Sequence, residues 1–306
     1  MAAPVVPQPD TTQPVNTRPG IPLAELPDAL GLLSGLAGSW IGTGFNLVSL
    51  PDFDSRPPST GPAPFRVLLS STVEILEFTP IGGKVPNRGS TNQDDIDIVG
   101  LRYLQRVADR VTNQALHIEP GFWLSVPATT VPSDGPTIVR QASIPHGTSV
   151  LAIGQGFEIP SGPRIDPVSS TPLSNPPGQD LSGKYLEPLT HPTLPLPPGF
   201  DPGYIANMNQ ALLDAIAGQT IVDTVVLIIS TRAPAQGPAA RAGGTLNIPF
   251  DISNANATSM DAIFWIETVR QADGSTFVQL QYTQTVILNF LGIDWPHISV
   301  ATLVKQ

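Results

Sequence analysis

The chain contains no cysteine. This absence excludes disulfide bonds, thiolate-ligated haem, iron–sulfur clusters, cysteine-based zinc sites and cysteine nucleophiles. Charge is also scarce, because only 13% of the residues are Asp, Glu, Lys or Arg, and 15 basic residues stand against 25 acidic ones. The net charge of -10 has the wrong sign for phosphate backbones and anionic membrane surfaces. We therefore expect neither nucleic acid nor a membrane as a partner.

Long apolar runs are missing as well. No uninterrupted stretch approaches the roughly 20 residues that a membrane-spanning helix needs. Residues 1–10 lack the basic start and the apolar segment of a signal peptide. We expect a soluble protein and place it in the cytoplasm by default. The hydrophobic fraction of 41% is enough for a real core.

Apolar and β-branched residues come in strand-length runs from Trp40 onwards, separated by Gly, Pro, Asn or Asp. Successive strands with short links favour an antiparallel meander that closes on itself, because closure leaves no exposed edge. The sequence thus predicts an all-β fold, a roughly ten-stranded antiparallel up-and-down β-barrel with short helices. The runs are 40–48, 65–79, 98–109, 114–126, 137–143, 148–157, 220–231, 245–251, 261–271, 276–289 and 296–304.

Other segments flank or interrupt this pattern. Residues 1–22 are rich in Pro, Thr and Gln and are interpreted as a mobile arm, which leaves 23–306 as a single barrel domain. Leucines at steps of three and four predict a helix that begins near Pro27 and ends at Gly38. An insertion at 159–218 interrupts the barrel: twelve prolines lie within 159–203, and 204–217 has the pattern of an amphipathic helix. We expect this helix to plug or cap one end of the barrel.

Glycines surround an aromatic residue at the start of the first predicted strand, in Gly38-Ser-Trp-Ile-Gly42-Thr-Gly44. Glycine inside a strand usually serves close backbone approach or coiling. The motif carries no chemistry by itself and favours a barrel whose mouth could hold one small ligand.

This motif and four later segments, in the same order, resemble the nitrobindin family of small haem-binding β-barrels. The resemblance implies haem b in one barrel mouth with His297 as its proximal ligand. In that family the iron is ferric, open to solvent, and associated with nitric oxide binding and the isomerisation of peroxynitrite to nitrate. The later segments are Leu101-Arg-Tyr-Leu-Gln-Arg106, Leu116-His-Ile-Glu-Pro-Gly-Phe-Trp-Leu124, Ala142-Ser-Ile-Pro-His-Gly147 and Pro296-His-Ile-Ser-Val-Ala-Thr-Leu303.

His297 opens the last predicted strand, where it could present one nitrogen to a bound porphyrin. Imidazole is the commonest neutral ligand for haem iron, so we take His297 as the candidate metal ligand. A lone histidine has no spacing signature, and the alternative is a wall residue that binds nothing. His146 lies at a predicted strand corner and is the candidate distal residue on the opposite haem face. Its alternative is an exposed turn histidine.

Two further polar groups have simpler interpretations. His117 and Glu119 are two residues apart in a predicted strand and share a face, which favours an orienting hydrogen bond in the barrel wall over a proton relay. Asp94, Asp95 and Asp97 could offer oxygens to calcium. They lack the twelve-residue loop pattern of such sites, so a solvated acidic turn is preferred.

The chain also departs from the family. The insertion has no counterpart there, and the family's Tyr-Pro-Thr segment is replaced by Ser49-Leu-Pro-Asp-Phe53. Three hypotheses therefore remain open. The first is a haem b barrel that handles a small diatomic or peroxy species. The second is a haem-free, lipocalin-like carrier in which barrel and helix 204–217 enclose a small apolar ligand. The third is an interaction module whose arm and insertion form the contacts of a homo-oligomer.

Overall fold

The computed structural model describes residues 20–51, 65–178, 181, 196–233 and 243–306. The helices described are α1 (Leu26–Leu30), α2 (Gln210–Ala215), α3 (Pro249–Asn254) and the 3-10 helices Leu23–Glu25, Gly31–Leu36 and Pro202–Ile205. The strands are β1 (Gly38–Pro51), β2 (Phe65–Pro80), β3 (Val85–Asn87), β4 (Ile96–Asp109), β5 (Ala115–Val126), β6 (Thr129–Thr130), β7 (Ser133–Asp134), β8 (Thr137–Ile144), β9 (Thr148–Ile159), β10 (Leu173–Ser174), β11 (Thr220–Ser230), β12 (Gly244–Asn247), β13 (Asn256–Arg270), β14 (Thr276–Phe290) and β15 (Ile293–Lys305).

Ten of these strands form a closed barrel. Their order is β1-β2-β4-β5-β8-β9-β11-β13-β14-β15, each neighbouring pair is antiparallel, and β15 pairs back onto β1. Because spatial neighbours follow one another along the chain, the topology is an up-and-down meander. The predicted fold class is confirmed. The short strands β3, β10 and β12 pair with β4, β15 and β9 outside this path.

One end of the barrel is filled by apolar side chains and covered by the helical segment before β1. The indole of Trp40 is fully buried, and its Nε1 donates to the carbonyl of Leu36 at 2.7 Å. Leu30 and Leu33 from the same segment are buried against residues of the barrel interior. The regularly spaced leucines therefore lie in a segment that covers this end of the barrel and that consists of α1 between two 3-10 helices.

Glycine is required where β1 meets β15. A Cβ on Gly42 would lie 2.1 Å from the carbonyl oxygen of Thr302 and 2.5 Å from Cα of Leu303. Such distances are far inside van der Waals contact, so the two strands pair closely only because position 42 has no side chain.

The substitution Gly42→Ala is expected to lower the free energy of unfolding by about 1–3 kcal/mol, because the added methyl group pushes β15 away from β1. Urea denaturation followed by tryptophan fluorescence measures the loss. The matched control is Gly83→Ala, since a Cβ at Gly83 has no heavy atom within 4 Å and should change stability by under about 0.5 kcal/mol. Equal stability of the two variants would contradict the close approach at this seam.

The described residues around Tyr204–Leu212 of the insertion lie on the outer wall of the barrel, which corrects the expected plug. Its residues Tyr204, Met208 and Leu212 are buried against outward-facing side chains of β13 and β15, including Trp265 and Val300. The predicted apolar face of 204–217 is therefore right in composition. The helix breaks, however, into the 3-10 turn Pro202–Ile205 and the short α2. The wall beneath is itself apolar, and residues Tyr204–Leu212 cover it instead of entering the barrel.

Two smaller predictions also change. The run 245–251 is a strand only over Gly244–Asn247, because Pro249 starts α3 in the first-turn position that proline favours. Of the predicted arm, residues 1–19 lie outside the described residues. The amide of Ile21 donates to the carbonyl of Gly82 at 3.0 Å, which ties the following residues to the turn after β2.

Candidate functional site

A cavity of about 370 Å³ occupies the barrel interior, away from the end that the helical segment before β1 covers. Residues of β1, β2, β4, β5, β8, β9, β12, β13, β14 and β15 line it, together with Asp251 of α3. The volume is within the range of small-molecule sites. The lining includes His117, His146 and His297, so both histidines singled out from the sequence face the same space.

His297 is held by a polar neighbour on β1. Its Nε2 lies 2.8 Å from Oδ1 of Asn46, which is an acceptor, so Nε2 carries the proton and the lone pair is on Nδ1. Burial, followed by the proximity of His117 and His146, lowers the pKa of His297 to about 4. The imidazole is therefore neutral at pH 7.

His146 and His117 lie side by side, with ring centroids 5.7 Å apart. His146 occupies the turn between β8 and β9, as expected for a strand corner, and burial lowers its pKa. The Nε2 of His117 contacts Oε2 of Glu119 at 3.1 Å. This is the orienting bond that the sequence suggested. The sequence did not predict that the His117 ring lies in the cavity. The alternation of side chains along a strand shows which residues share a face, but not how far they lie from residues of another strand.

A buried ion-pair network forms part of the cavity wall and was not predicted. Arg140 is 2% exposed, and its guanidinium donates to Glu119, to the hydroxyl of Tyr103 at 3.0 Å and to Gln284 at 2.6 Å. Burial alone would raise the pKa of Glu119, but the charge of Arg140 and the contact with His117 lower it to about 2. Glu119 and Arg140 therefore form a compensated pair.

A second carboxylate in the wall has only neutral partners. Glu74 is 2% exposed and accepts from Thr72 at 3.1 Å, Gln105 at 3.2 Å and Tyr282 at 2.7 Å. Burial raises its pKa, and the three hydrogen bonds offset only part of that effect. No sequence signal marks this group, because Tyr282 is 208 residues away along the chain.

The barrel wall is incomplete beside the two neighbouring histidines. The pairing of β5 with β8 ends at Gly121 and Ala142, although β5 begins at Ala115. Residues 115–120 thus pair with β4 on one side and face no strand of the described chain on the other. His146 is exposed and also lines the cavity, which places an opening at this point.

The acidic turn before β4 has the solvated character expected of it. Asp95 pairs with Arg88 and accepts from the amide of Gly89 at 2.9 Å, and Asp97 lies 3.6 Å from Lys84. Within the described ranges, no group of three or more His, Cys, Asp or Glu side chains is arranged to hold a metal ion.

Comparisons with known proteins assign this chain to no family. No protein-family model and no curated protein matches the chain. The crystal structure of Rv2717c from M. tuberculosis is similar, with a TM-score of 0.43 and 16% identity, over 91% of this chain and 97% of that chain. A likeness at this level carries no argument about a ligand. Of the helices in the described part of the chain, none has the length and apolar character to cross a membrane.

Proposed function

We propose that the barrel binds haem b in its cavity through His297 and handles a small diatomic or peroxy species there. The observation that carries the proposal is a neutral imidazole facing an internal cavity, with its other nitrogen already hydrogen-bonded. Metal-bound histidines almost always donate their second N–H to an oxygen, which fixes ring orientation. Asn46 holds Nε2 of His297 in this way, which leaves Nδ1 as the nitrogen that would ligate the iron.

Haem, if bound through His297, would supply an iron that can take up a diatomic or peroxy species. The side chains of this chain would act around it. Asn46 would keep the proton on Nε2 of His297. His146, close to the opening, would offer a hydrogen bond to an incoming species, and Glu119 would hold the ring of His117 in place. The polar groups that distinguish gas binding from peroxide chemistry would thus come from two neighbouring histidines.

Titration of the purified full chain with haemin tests the proposal. The wild type should give a stoichiometric Soret band, and His297→Ala should weaken haemin binding at least tenfold, because the axial nitrogen is gone. The matched control is Ser70→Ala, which lines the same cavity from β2 and offers no ligating nitrogen. An unchanged Soret band in His297→Ala would end the assignment, as would an equal loss in Ser70→Ala.

A haem-free carrier is the second candidate, and the charge of the lining favours it. Arg140 is the one Lys or Arg side chain among the described residues that line the cavity, and it is already paired with Glu119. The two propionates of haem would find no free cationic partner there. In such a carrier α3, and not the helix predicted at 204–217, borders the cavity. Nile red should then bind, and haemin should not displace it.

A further inference from the structure

Two histidines stand together at the opening in the barrel wall. His117 belongs to β5 and His146 to the turn between β8 and β9, and their ring centroids are 5.7 Å apart. The pairing of β5 with β8 ends before this point, at Gly121 and Ala142. His117 is partly exposed, His146 is exposed, and both line the cavity. The two rings therefore lie between solvent and the cavity.

The ring of His117 is held in the way that a metal-bound imidazole is held. Its Nε2 lies 3.1 Å from Oε2 of Glu119, a buried carboxylate that pairs with Arg140. A carboxylate accepts hydrogen bonds, so Nε2 carries the proton and Nδ1 of the neutral ring keeps its lone pair. Histidines that bind metal ions almost always donate their other N–H to such an oxygen. His117 therefore has the supporting contact of a metal ligand and one nitrogen left to bind the metal.

The ring of His146 has even fewer contacts. Burial lowers its pKa, so the ring is neutral at pH 7. Within the described part of the chain, no residue makes a hydrogen bond to either of its ring nitrogens. A neutral imidazole keeps one lone pair, and imidazole is the commonest protein ligand of metal ions. His117 and His146 thus offer one lone pair each.

The spacing of the two rings matches that of imidazoles that share an ion. A zinc–imidazole bond is about 2.0–2.1 Å long and the ring centre lies about 1.1 Å beyond the nitrogen, so two rings on one tetrahedral ion stand roughly 5–6 Å apart. The observed 5.7 Å lies within this range. No group of three potential ligands exists among the described residues, so water or a small ligand in the cavity fills the other positions.

We infer that His117 and His146 together bind one divalent transition-metal ion of the zinc type at the opening, with Glu119 as the positioning residue for the first ring. The ion binds Nδ1 of His117 and one ring nitrogen of His146. Nitrogen ligands suit zinc, nickel and copper, whereas magnesium and calcium prefer oxygen. The net charge of -10 on the whole chain favours the approach of cations. His297 takes no part, so the inference does not rest on haem.

Calorimetric titration of the haem-free full chain with Zn²⁺ at pH 7 tests the inference. The wild type should bind one ion per chain at this site, and millimolar Mg²⁺ should not displace it. His117→Gln and His146→Gln should each weaken Zn²⁺ binding at least tenfold, because only one imidazole remains. Nitrogen NMR of the histidine rings gives a second readout: Zn²⁺ should shift the signal of Nδ1 of His117 and leave its Nε2 protonated.

The matched control is Ser70→Ala, which lines the same cavity and has no ligating nitrogen. It should bind Zn²⁺ as tightly as the wild type. If His117→Gln fails to fold, His146→Gln decides by itself, because its turn is exposed. The inference is overturned by absent Zn²⁺ binding, by displacement with Mg²⁺, by unchanged affinity in the folded variants, or by an equal loss in Ser70→Ala. Haemin binding is read separately from the Soret band, so the two proposals fail independently.

Discussion

Replacing Arg140 by methionine is expected to lower the free energy of unfolding by about 3–5 kcal/mol. The substitution keeps an apolar stem of similar length but leaves Glu119 as a buried carboxylate without its cation. It also removes the donors that Tyr103 and Gln284 receive from the guanidinium. Urea denaturation at pH 7, with circular dichroism and tryptophan fluorescence as two probes, measures the loss.

The matched control is Arg106→Met, which breaks the ion pair with Glu77. Both partners there are nearly half exposed, so the pair should contribute less than about 1 kcal/mol. The double variant Arg140→Met/Glu119→Gln should recover part of the stability, because the orphaned charge is gone. A loss in Arg140→Met no larger than that in Arg106→Met would mean that the buried network does not hold the wall together.

The stability of the haem-free protein is expected to change little between pH 4.5 and 6.5, because two buried groups act in opposite directions. Burial lowers the pKa of His297 from 6.5 to about 4 and raises that of Glu267, on the outer wall, from 4.5 to about 7. Each pKa shift changes the free energy of unfolding by about 3 kcal/mol over the pH range between the unfolded and the folded pKa. Glu74 shifts in the same direction as Glu267, and His146 in the same direction as His297.

The signs follow from which state binds the proton. As pH falls from 6.5 to 4, the unfolded chain protonates His297 and the folded chain does not, so acid favours unfolding. As pH rises from 4.5 to 7, the unfolded chain loses the proton of Glu267 and the folded chain keeps it, so base favours unfolding. The two effects overlap in most of their range and largely cancel.

Single substitutions should show the pH dependence of stability that each of the two groups causes by itself. Glu267→Gln should lose stability as pH falls from 6.5, by up to about 1.4 kcal/mol per pH unit, and His297→Gln should lose it as pH rises from 4.5. Urea midpoints measured at half-unit pH intervals give both slopes, and the double variant should be nearly flat. Parallel pH profiles for the two single variants would show that neither group has the expected pKa.

The sequence predicted the barrel because its strands alternate and follow one another with short links, and both signals are local. His297 was singled out by the family resemblance and by its place at the start of a predicted strand, but β15 begins at Ile293 and places it inside the strand. His146 was predicted at a corner and lies in the turn between β8 and β9. The ion pair of Glu119 and Arg140 was not predicted, because pairing across strands depends on register and tilt, which a single sequence does not display. Glu74 and Asp251 were missed on the same ground.

The insertion shows a different limit. The apolar face of 204–217 correctly indicated that Met208 and Leu212 are buried, but an amphipathic pattern does not say which surface covers it. The outer wall at Trp265 and Val300 is apolar where an isolated barrel would be polar. Only the assembled sheet shows that this apolar patch lies on the outer wall. The segment that was expected to plug the barrel therefore packs against the outside of it.

Closure of the barrel by β1 and β15 also orders events during synthesis. Asn46 and His297 belong to these two strands and lie 251 residues apart along the chain. Until β15 has been made and has paired with β1, the growing sheet has two open edges, which favour pairing with other chains. The strand that removes those edges also carries His297. The contact between His297 and Asn46 therefore forms only when the barrel closes, and the proposed ligand site would form with it.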